Sequence, residues 1–226
     1  MQAGEMPQRP AACLFDLDGL LLDTEPAHAR AWQAAASHFG RPLDGAELLS
    51  LRGRRRLDCA SQVRQWILAA GGPRLSEEEL LAVRQPLAEA LLASAPAMPG
   101  AEALVRRCRA LGIPMALATS SARPAVERKV APHPWMALID ERVHGDDPEL
   151  ADGKPAPDAF LLAARRLGVA ATACWAFEDS RAGVAAALSA GCRVHVLLPP
   201  GVSCRTYPEE VVCLNSLEEV RLDPES

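Results

Sequence analysis

The sequence predicts an α/β protein in which a doubly wound parallel sheet forms the core and an all-helical cap domain is inserted into it. Two observations support this fold class. Apolar runs of strand length alternate with amphipathic runs of helix length, which is typical of parallel strands joined by crossover helices. Between residues 26 and 97 the alternation stops, and only helical patterns occur. The 226 residues are enough for one such core with one smaller insert.

Five apolar runs are predicted to form the strands of the core, the last of them at an edge of the sheet. They are Ala11–Phe15, Ile113–Ala118, Ala173–Phe177, Arg193–Leu198 and Val211–Leu214. In an open parallel sheet, ligands bind outside the carboxyl ends of the strands. The residues that follow these runs are therefore the first candidates for a functional site.

Six amphipathic runs are predicted to form helices. The three in the core each end before a glycine, which is favoured just beyond a helix C-terminus, and they are Gly100–Leu111, Pro157–Leu167 and Ser180–Ala190. The three in the insert are Pro26–Phe39, Arg55–Ala70 and Glu77–Ala93, the last preceded by a capping box of Ser76 and Glu79. The predicted domains are a Rossmann-like core, residues 10–25 and 98–226, and a helical cap, residues 26–97.

Composition and charge argue against several classes of function. No run of about 18 uncharged apolar residues occurs, so a membrane span is not expected. Residues 1–10 have no apolar stretch behind a basic patch, so no secretory signal is expected. A net charge of -5 without a basic block argues against nucleic-acid binding. The seven cysteines include no C-x2-C pair and are predicted to be buried free thiols in a reducing cytoplasm.

The basic residues are strongly biased towards arginine. Of the 24 lysine and arginine residues, only Lys129 and Lys154 are lysines. A lysine that survives such a bias can mark a position that needs a compact ammonium group, because a planar guanidinium does not imitate one. Lys154, in the loop Gly153-Lys154-Pro155, is predicted to hold such a position. Lys129 is predicted to be a solvated charge on the surface of a helix.

Three of the predicted strands are followed by residues that could carry chemistry. They are Asp16 and Asp18 after the first strand, Thr119 and Ser120 after the second, and Glu178 and Asp179 after the third. Several carboxylates that converge beside one lysine would repel one another without a cation. Hard oxygen ligands of this kind suit Mg2+, so these residues predict a magnesium site. Taken singly, each pair could also serve as a turn motif or as a helix cap.

Four motifs in this chain resemble those of the haloacid dehalogenase superfamily, and they occur in the order of that family. They are Phe15–Thr24, Ala118–Ser121, Gly153–Pro155 and Glu178–Gly183, which read FDLDGLLLDT, ATSS, GKP and EDSRAG. The resemblance covers nearly the whole chain, and it is to the phosphatases of the superfamily that carry a helical cap.

The resemblance implies a catalytic role for each of five residues. Asp16 would be the nucleophile that attacks phosphorus and becomes an aspartyl phosphate. Asp18 would protonate the leaving alcohol and then activate water. Thr119 and the backbone N–H of Ser120 would hold the phosphoryl group. Lys154 would neutralise charge on the nucleophile and on the phosphoryl oxygens.

The same resemblance implies that Mg2+ is the cofactor. Asp16, Asp179 and the backbone carbonyl of Asp18 would hold the ion, with Glu178 as a direct or water-mediated ligand. The expected partner is a small phosphorylated metabolite such as a sugar phosphate, a nucleotide or a polyol phosphate, and neither a nucleic acid nor a membrane is expected to bind. The sequence leaves open whether the protein is a monomer or a dimer.

Single residues separate the branches of the superfamily. Dehalogenases lack the second aspartate, which is present here as Asp18, and the phosphonate-cleaving branch uses a cap lysine, which residues 26–97 do not contain. A phosphatase is favoured because Ala122-Arg123 stands where the β-phosphoglucomutase branch has Lys-Asn. In addition, residues 98–121 and 145–168 resemble pseudouridine-5'-phosphatases and plant phosphatases that act on glycerol 3-phosphate or flavin mononucleotide. A β-phosphoglucomutase-type sugar phosphomutase stays an alternative, and a non-catalytic phosphometabolite-binding protein is a remote one.

Four residues in or near the cap are predicted to bind the substrate: Glu25, His28, Arg52 and Arg56. By position, Arg52 falls where the mutase has a cap lysine, and Arg56 falls where it has a phosphate-binding arginine. Such arginines could grip a second phosphate, which keeps the mutase open. For His28 the alternative is an ordinary histidine on a helix surface, and Ser121 is predicted only to cap a helix.

Overall fold

The core of the protein is a six-stranded sheet in which every neighbouring pair of strands is parallel. The computed structural model describes residues 9–223. The strands are β1 (Ala12–Phe15), β2 (Met115–Ala118), β3 (Glu141–Val143), β4 (Cys174–Glu178), β5 (Arg193–Leu197) and β6 (Val212–Leu214), in the spatial order β3-β2-β1-β4-β5-β6. This is the order of a doubly wound sheet, so the predicted fold class is confirmed. Residues 1–8 and 224–226 lie outside the described range. The first of these segments contains most of the stretch in which no secretory signal is expected, and the second is the end of the predicted core.

Strand β3 is absent from the sequence-based prediction. It has only three residues, lies at one edge of the sheet, and buries only Val143 fully. So short a segment carries no apolar run that could be recognised. The five predicted strands are all present, with ends that differ by one or two residues.

Successive residues of β1 pack into apolar clusters on opposite faces of the sheet. Cys13 and Phe15 lie in one cluster, where the ring of Phe15 stacks on that of Phe177 at 5.0 Å between centroids. Ala12 and Leu14 lie in the other cluster. Burial on both faces explains why this strand is a continuous apolar run in the sequence. It also holds the carboxyl end of the strand in a fixed position.

All six predicted helices are present in the described part of the chain, together with α2 and α6. The helices are α1 (Glu25–His38), α2 (Gly45–Ser50), α3 (Arg56–Ala69), α4 (Glu77–Leu92), α5 (Ala101–Ala110), α6 (Arg123–Val130), α7 (Asp158–Arg166) and α8 (Arg181–Ser189). Ser180 caps α8 as predicted, since its Oγ accepts a hydrogen bond from the backbone N–H of Gly183 at 3.0 Å. Among residues 9–223, no helix has both the length and the apolar character needed to cross a membrane.

Helices α1 to α4 form the segment between β1 and α5 that is expected to be the cap. Their inward side chains, among them Trp32, Leu51, Val63 and Leu80, make an apolar cluster separate from the two clusters of the core. Helix α4 begins with the predicted capping box of Ser76 and Glu79. Helix α2 was not predicted because six residues are too few to show a helical period. The domain boundaries given above stay a prediction.

Two of the seven cysteines depart from the expectation of free thiols. Cys204 and Cys213 form a disulfide that closes the loop leading into β6, with their Cα atoms 6.0 Å apart. The expectation was wrong for this pair because nothing in the spacing shows that this loop returns beside its own start. The other five cysteines are free and buried.

Candidate active site

Three neighbouring strands, β2, β1 and β4, bring predicted catalytic side chains to one edge of the sheet. Asp16 follows β1, Thr119 follows β2, and Glu178 ends β4. The register keeps these ends level, because Phe15 lies opposite Phe177 and the N–H of Asp16 donates to the carbonyl of Phe177 at 3.0 Å. The three polar residues are at most 3% exposed. The fold therefore gathers them in a largely dry environment.

Asp16, Glu178 and Asp179 form a compact cluster of carboxylates, which we call the acidic group. Each offers an oxygen, and these atoms all lie within 4.8 Å of one another. Burial raises the pKa of Asp16 to about 7 and holds the pKa of Asp179 well above its usual range. The Oδ1 atom of Asp179 is buried without a hydrogen-bond partner. A buried, unsatisfied carboxylate oxygen in a set of hard oxygen donors fits a divalent cation such as Mg2+.

Lys154 lies against the acidic group, in line with the prediction that its position needs a compact ammonium group. Its Nζ donates to Asp16 Oδ1 at 2.6 Å and also to Glu178, and the residue is 2% exposed. Burial alone would lower the pKa of Lys154, but the carboxylates of Asp16 and Glu178 outweigh it and raise the pKa. The ammonium group is therefore charged throughout the physiological range.

Asp18 is held separately from this group, by residues of both the core and the insert. Lys129 Nζ lies 2.6 Å from each of its carboxylate oxygens, the Ser121 hydroxyl donates to Oδ2 at 2.7 Å, and His28 Nε2 lies 3.3 Å from Oδ1. Burial would raise the pKa of Asp18, but Lys129 and His28 outweigh it and hold the pKa well below its usual range.

Two interpretations of the sequence are wrong at this point. Lys129 is not a solvated surface charge, because it is only 3% exposed and its ammonium group is engaged by Asp18. Ser121 does not cap helix α6, since that helix begins after Ala122 without a side-chain cap and the Ser121 hydroxyl bonds to Asp18 instead. The arginine bias, which identified Lys154, was an equally good signal for Lys129.

Among the cap residues predicted to bind substrate, Arg52 contacts the acidic group directly. Its guanidinium donates to Asp179 Oδ2, and its Nε lies 3.1 Å from Glu25 Oε2. Arg56 is exposed and donates a hydrogen bond to Gln85 at 3.4 Å. These contacts occupy the side chains with protein partners, so their role towards a substrate stays a prediction.

Arg84 is a site residue that the sequence analysis missed. It is 5% exposed, its guanidinium lies over the ring of Trp32 at 4.5 Å from the centroid, and it donates to His28 Nδ1 at 2.8 Å. Because Nδ1 accepts that hydrogen bond, His28 presents an N–H at Nε2 to Asp18. The available signal was the position of Arg84 on the buried stripe of α4, between Leu80 and Ala88.

A cavity of about 340 Å3 connects these residues. Its wall includes the predicted residues Asp16, Asp18, Glu25, His28, Arg52, Arg56, Thr119 and Ser120. Lys154, Glu178 and Asp179 lie behind Asp16 rather than in the wall. The wall also carries Lys129 and Arg84, so one cavity is bordered by acidic, hydroxyl and cationic side chains from the core and the insert.

Gly53 fixes the insert onto the core at the rim of this cavity. Its carbonyl accepts a hydrogen bond from the Ser120 hydroxyl at 2.8 Å. Its φ of +73° is in the left-handed region, and a Cβ at this position would lie 2.0 Å from Ser180 Oγ. Only glycine allows so close an approach of the insert to the second and fourth motifs.

Comparison with known proteins gives a family and several relatives. The family model described as haloacid dehalogenase-like hydrolase matches residues 10–191. A probable pseudouridine-5'-phosphatase from Drosophila melanogaster is 35% identical over 224 residues, which cover 97% of this chain and 95% of that protein. (DL)-glycerol-3-phosphatase 2 from Arabidopsis thaliana is 35% identical over 191 residues, which cover 82% of this chain and 78% of that protein.

Two solved structures share the fold of this chain. CbbY from Rhodobacter sphaeroides, solved in complex with phosphate, has a TM-score of 0.76 and 28% identity, with 93% of this chain and 96% of that chain covered. A β-phosphoglucomutase from Clostridium difficile has a TM-score of 0.77 at 23% identity, with 94% and 93% covered, and shows a likeness of fold.

Proposed function

The chain belongs to the haloacid dehalogenase-like hydrolase family and is a phosphatase, and we propose that it hydrolyses a small phosphomonoester through a phosphorylated Asp16 with Mg2+ as cofactor. The observation that carries the proposal is the separation of two aspartates in one cavity. Asp16 belongs to the acidic group and contacts Lys154, whereas Asp18 accepts hydrogen bonds from a separate set of donors. Two aspartates in different surroundings can perform different chemical tasks.

The proposed reaction has two steps. In the free site Asp18 is ionised, since its pKa is held low, so in the first step it takes a proton from the phosphate group of the entering monoanion. The Asp16 carboxylate then forms a bond to phosphorus, the ester P–O bond breaks, and Asp18 gives this proton to the leaving oxygen. In the second, water attacks the phosphorus of the aspartyl phosphate and gives a proton to Asp18, and Asp16 is released together with inorganic phosphate. The proton that Asp18 takes from water leaves with the inorganic phosphate, so Asp18 is again ionised after every cycle.

The charge of the phosphoryl group has to be balanced by groups around Asp16. Lys154 supplies a fixed ammonium group within hydrogen-bond distance of Asp16. Asp16, Asp179 and Glu178, with the backbone carbonyl of Asp18, would hold Mg2+, which when bound neutralises the nucleophile and the phosphoryl oxygens. Thr119 and the N–H of Ser120 would bind the phosphoryl oxygens at the wall of the cavity.

We further propose that the substrate is a small phosphorylated metabolite bound between the core and the cap. The relatives are named for pseudouridine 5'-phosphate, glycerol 3-phosphate and fructose 1-phosphate, all of them small esters. Glu25, His28, Arg52 and Arg56 would contact the alcohol part. Closure of the cap over the cavity would exclude bulk water during transfer. The cytoplasm stays the proposed location, in line with five free thiols, although the Cys204–Cys213 disulfide is uncommon there.

A sugar phosphomutase is the second candidate. The observation that favours it is the number of cations in the cavity wall, where Arg52, Arg54, Arg55, Arg56 and Arg84 all come from the insert. Arginine is suited to binding a second phosphate group. A mutase would return its phosphoryl group to a sugar instead of to water.

One experiment separates these candidates. Phosphate release would be measured with Mg2+ over a panel of sugar phosphates, nucleotides, flavin mononucleotide, pseudouridine 5'-phosphate and glycerol 3-phosphate. Glucose 1-phosphate would be included with and without a bisphosphate primer, and its products analysed for glucose 6-phosphate. One preferred ester that releases phosphate supports the phosphatase. Isomerisation without net phosphate release would overturn it in favour of the mutase.

A further inference from the structure

We propose that Lys129 is a positioning residue for proton transfer: its ammonium group holds the Asp18 carboxylate in the orientation from which a proton is exchanged at the leaving oxygen of the substrate. The inference rests on the proposed function, in which Asp18 carries that proton.

The three N–H donors of Lys129 are all used in one place. Nζ lies 2.6 Å from each carboxylate oxygen of Asp18 and 2.9 Å from the Oγ atom of Ser121, and an ammonium group has three N–H bonds. At 3% exposure, the lysine has little competition from water. A group that grips both oxygens fixes the plane of the carboxylate as well as its position.

Ser121 completes this hold on Asp18. Its hydroxyl accepts from Lys129 and donates to Asp18 Oδ2 at 2.7 Å. Both residues belong to the core, one just before α6 and one within it, whereas His28 approaches Oδ1 from the insert. The core contacts therefore orient Asp18 without help from the cap.

Each catalytic aspartate has its own lysine. Lys154 binds Asp16 and Lys129 binds Asp18, both at 2.6 Å, and the chain has no other lysine. Two carboxylates that are close in sequence and border one cavity repel each other. A separate ammonium group beside each of them offsets its charge and holds it in its own place. A guanidinium is larger and planar, which explains why both positions keep lysine in a chain rich in arginine.

The position of Asp18 matters more for some leaving groups than for others. An alkoxide leaves with a proton from Asp18, whereas p-nitrophenolate leaves without one. A displacement of about 1 Å at a catalytic group can cost roughly 100-fold in rate. Loss of Lys129 should therefore slow phosphoryl transfer from an alkyl ester much more than transfer from p-nitrophenyl phosphate.

The test compares kcat/KM, which reports the first transfer step, for p-nitrophenyl phosphate and for glycerol 3-phosphate or another alkyl phosphate that the wild-type protein hydrolyses. In Lys129→Met, we expect kcat/KM to fall about 100-fold for the alkyl ester and less than about 5-fold for the aryl ester. A burst of p-nitrophenolate should appear as well, because the activation of water at Asp18 also slows. Equal losses for both esters, or no loss, would overturn the proposal.

Controls separate positioning from a structural effect. Arg106→Met removes an exposed charge that pairs with Glu102 on α5, away from the cavity wall, and it should change the rates for both esters equally and by little. In an Asp18→Asn background, Lys129→Met should cause no further loss, because its effect passes through Asp18. A further loss of similar size in that background would contradict the proposal.

Folding of each variant would be measured by thermal denaturation. If Lys129→Met does not fold, Lys129→Arg serves as the second variant, with a smaller loss that is still selective for the alkyl ester. Failure of the wild-type protein to hydrolyse any ester would count against the proposed function, whereas an unselective loss in an otherwise active enzyme would count against Lys129 alone.

Discussion

The α-carbon of Gly183 faces the carboxyl group of Glu178, so that a β-carbon at position 183 would lie 1.9 Å from the Cδ and Oε1 atoms of that side chain. Glu178 is fully buried and accepts a hydrogen bond from Lys154. The first turn of α8 is therefore packed directly onto a member of the acidic group. The glycine of the fourth motif is required by this close approach, and its φ is not in the left-handed region.

Gly183→Ala is expected to lower the free energy of unfolding by about 1–3 kcal/mol, because a buried side chain has to move to make room. Activity should fall too, since Glu178 would shift relative to Lys154. Chemical denaturation and phosphate release measure the two effects. Gly45→Ala is the matched control, as no atom lies within 4 Å of its added carbon. A Gly183→Ala protein as stable and active as the wild type would contradict this explanation.

The core of the site was predictable from the sequence because of how a parallel sheet is built. Strands buried on both faces are visible as apolar runs, and their carboxyl ends meet at one edge. The residues after three such runs, Asp16, Thr119 and Glu178, had to be neighbours once the strands were recognised. The edge strand β3, with one fully buried residue, carried no comparable pattern.

The contacts between elements were not predictable in the same way. Helix α6 is short and rich in charged residues, so its sequence shows no face that must be buried and predicts a surface charge at Lys129. The burial of Lys129 depends on how α6 packs beside the loop of Asp18, which is a property of the assembled fold. Arg84 is a similar case, since its partners His28 and Trp32 lie on a different helix.

Asp16→Asn is expected to abolish turnover while the protein stays folded. A neutral amide is a poor nucleophile for phosphorus, and loss of a nucleophile costs about four orders of magnitude or more in kcat. Phosphate release and thermal denaturation are the two measurements. The exposed Asp152→Asn serves as a control for the same chemical change elsewhere and should behave like the wild type. Activity of Asp16→Asn near the wild-type value would remove the nucleophile assignment.

Removal of divalent metal is expected to silence the enzyme, and added Mg2+ is expected to restore it. Ca2+ should restore much less activity, because it prefers more ligands at longer distances. Mg2+ should also raise the Tm, since the close carboxylates of Asp16, Glu178 and Asp179 repel one another without a cation. Full activity after treatment with EDTA and dialysis, with no effect of Mg2+ on the Tm, would argue against a metal at this group.

His195 is expected to make stability depend on pH. Its ring lies in the sheet between Trp175 and Phe177, and burial, reinforced by Arg193, lowers its pKa to about 4. The unfolded chain, with an ordinary histidine pKa of about 6.5, takes up a proton that the native state does not, so stability is complete above that pH and falls as the pH drops towards 4.

The size of this loss should be about 3 kcal/mol once the pH is below 4, from a pKa difference worth 1.36 kcal/mol for each unit. Urea denaturation between about pH 7 and pH 4 measures it. His195→Phe keeps an aromatic ring in the stack and should remove this part of the pH dependence. If the two proteins lose stability in parallel over that range, His195 does not cause the loss.

Arg52→Gln is expected to lower the Mg2+ concentration needed for half-maximal activity by a factor of roughly 3–10, which corresponds to about 1 kcal/mol of binding free energy. The guanidinium of Arg52 pairs with Asp179 as well as with Glu25, so it competes with a cation for the negative charge of the Asp179 carboxylate. Mg2+ titrations of activity, repeated as calorimetric binding without substrate, would measure the shift. Arg54→Gln removes the same charge from the same loop without contact to Asp179 and should change the titration less. A higher Mg2+ requirement in Arg52→Gln would mean that the arginine supports the metal site instead of competing for it.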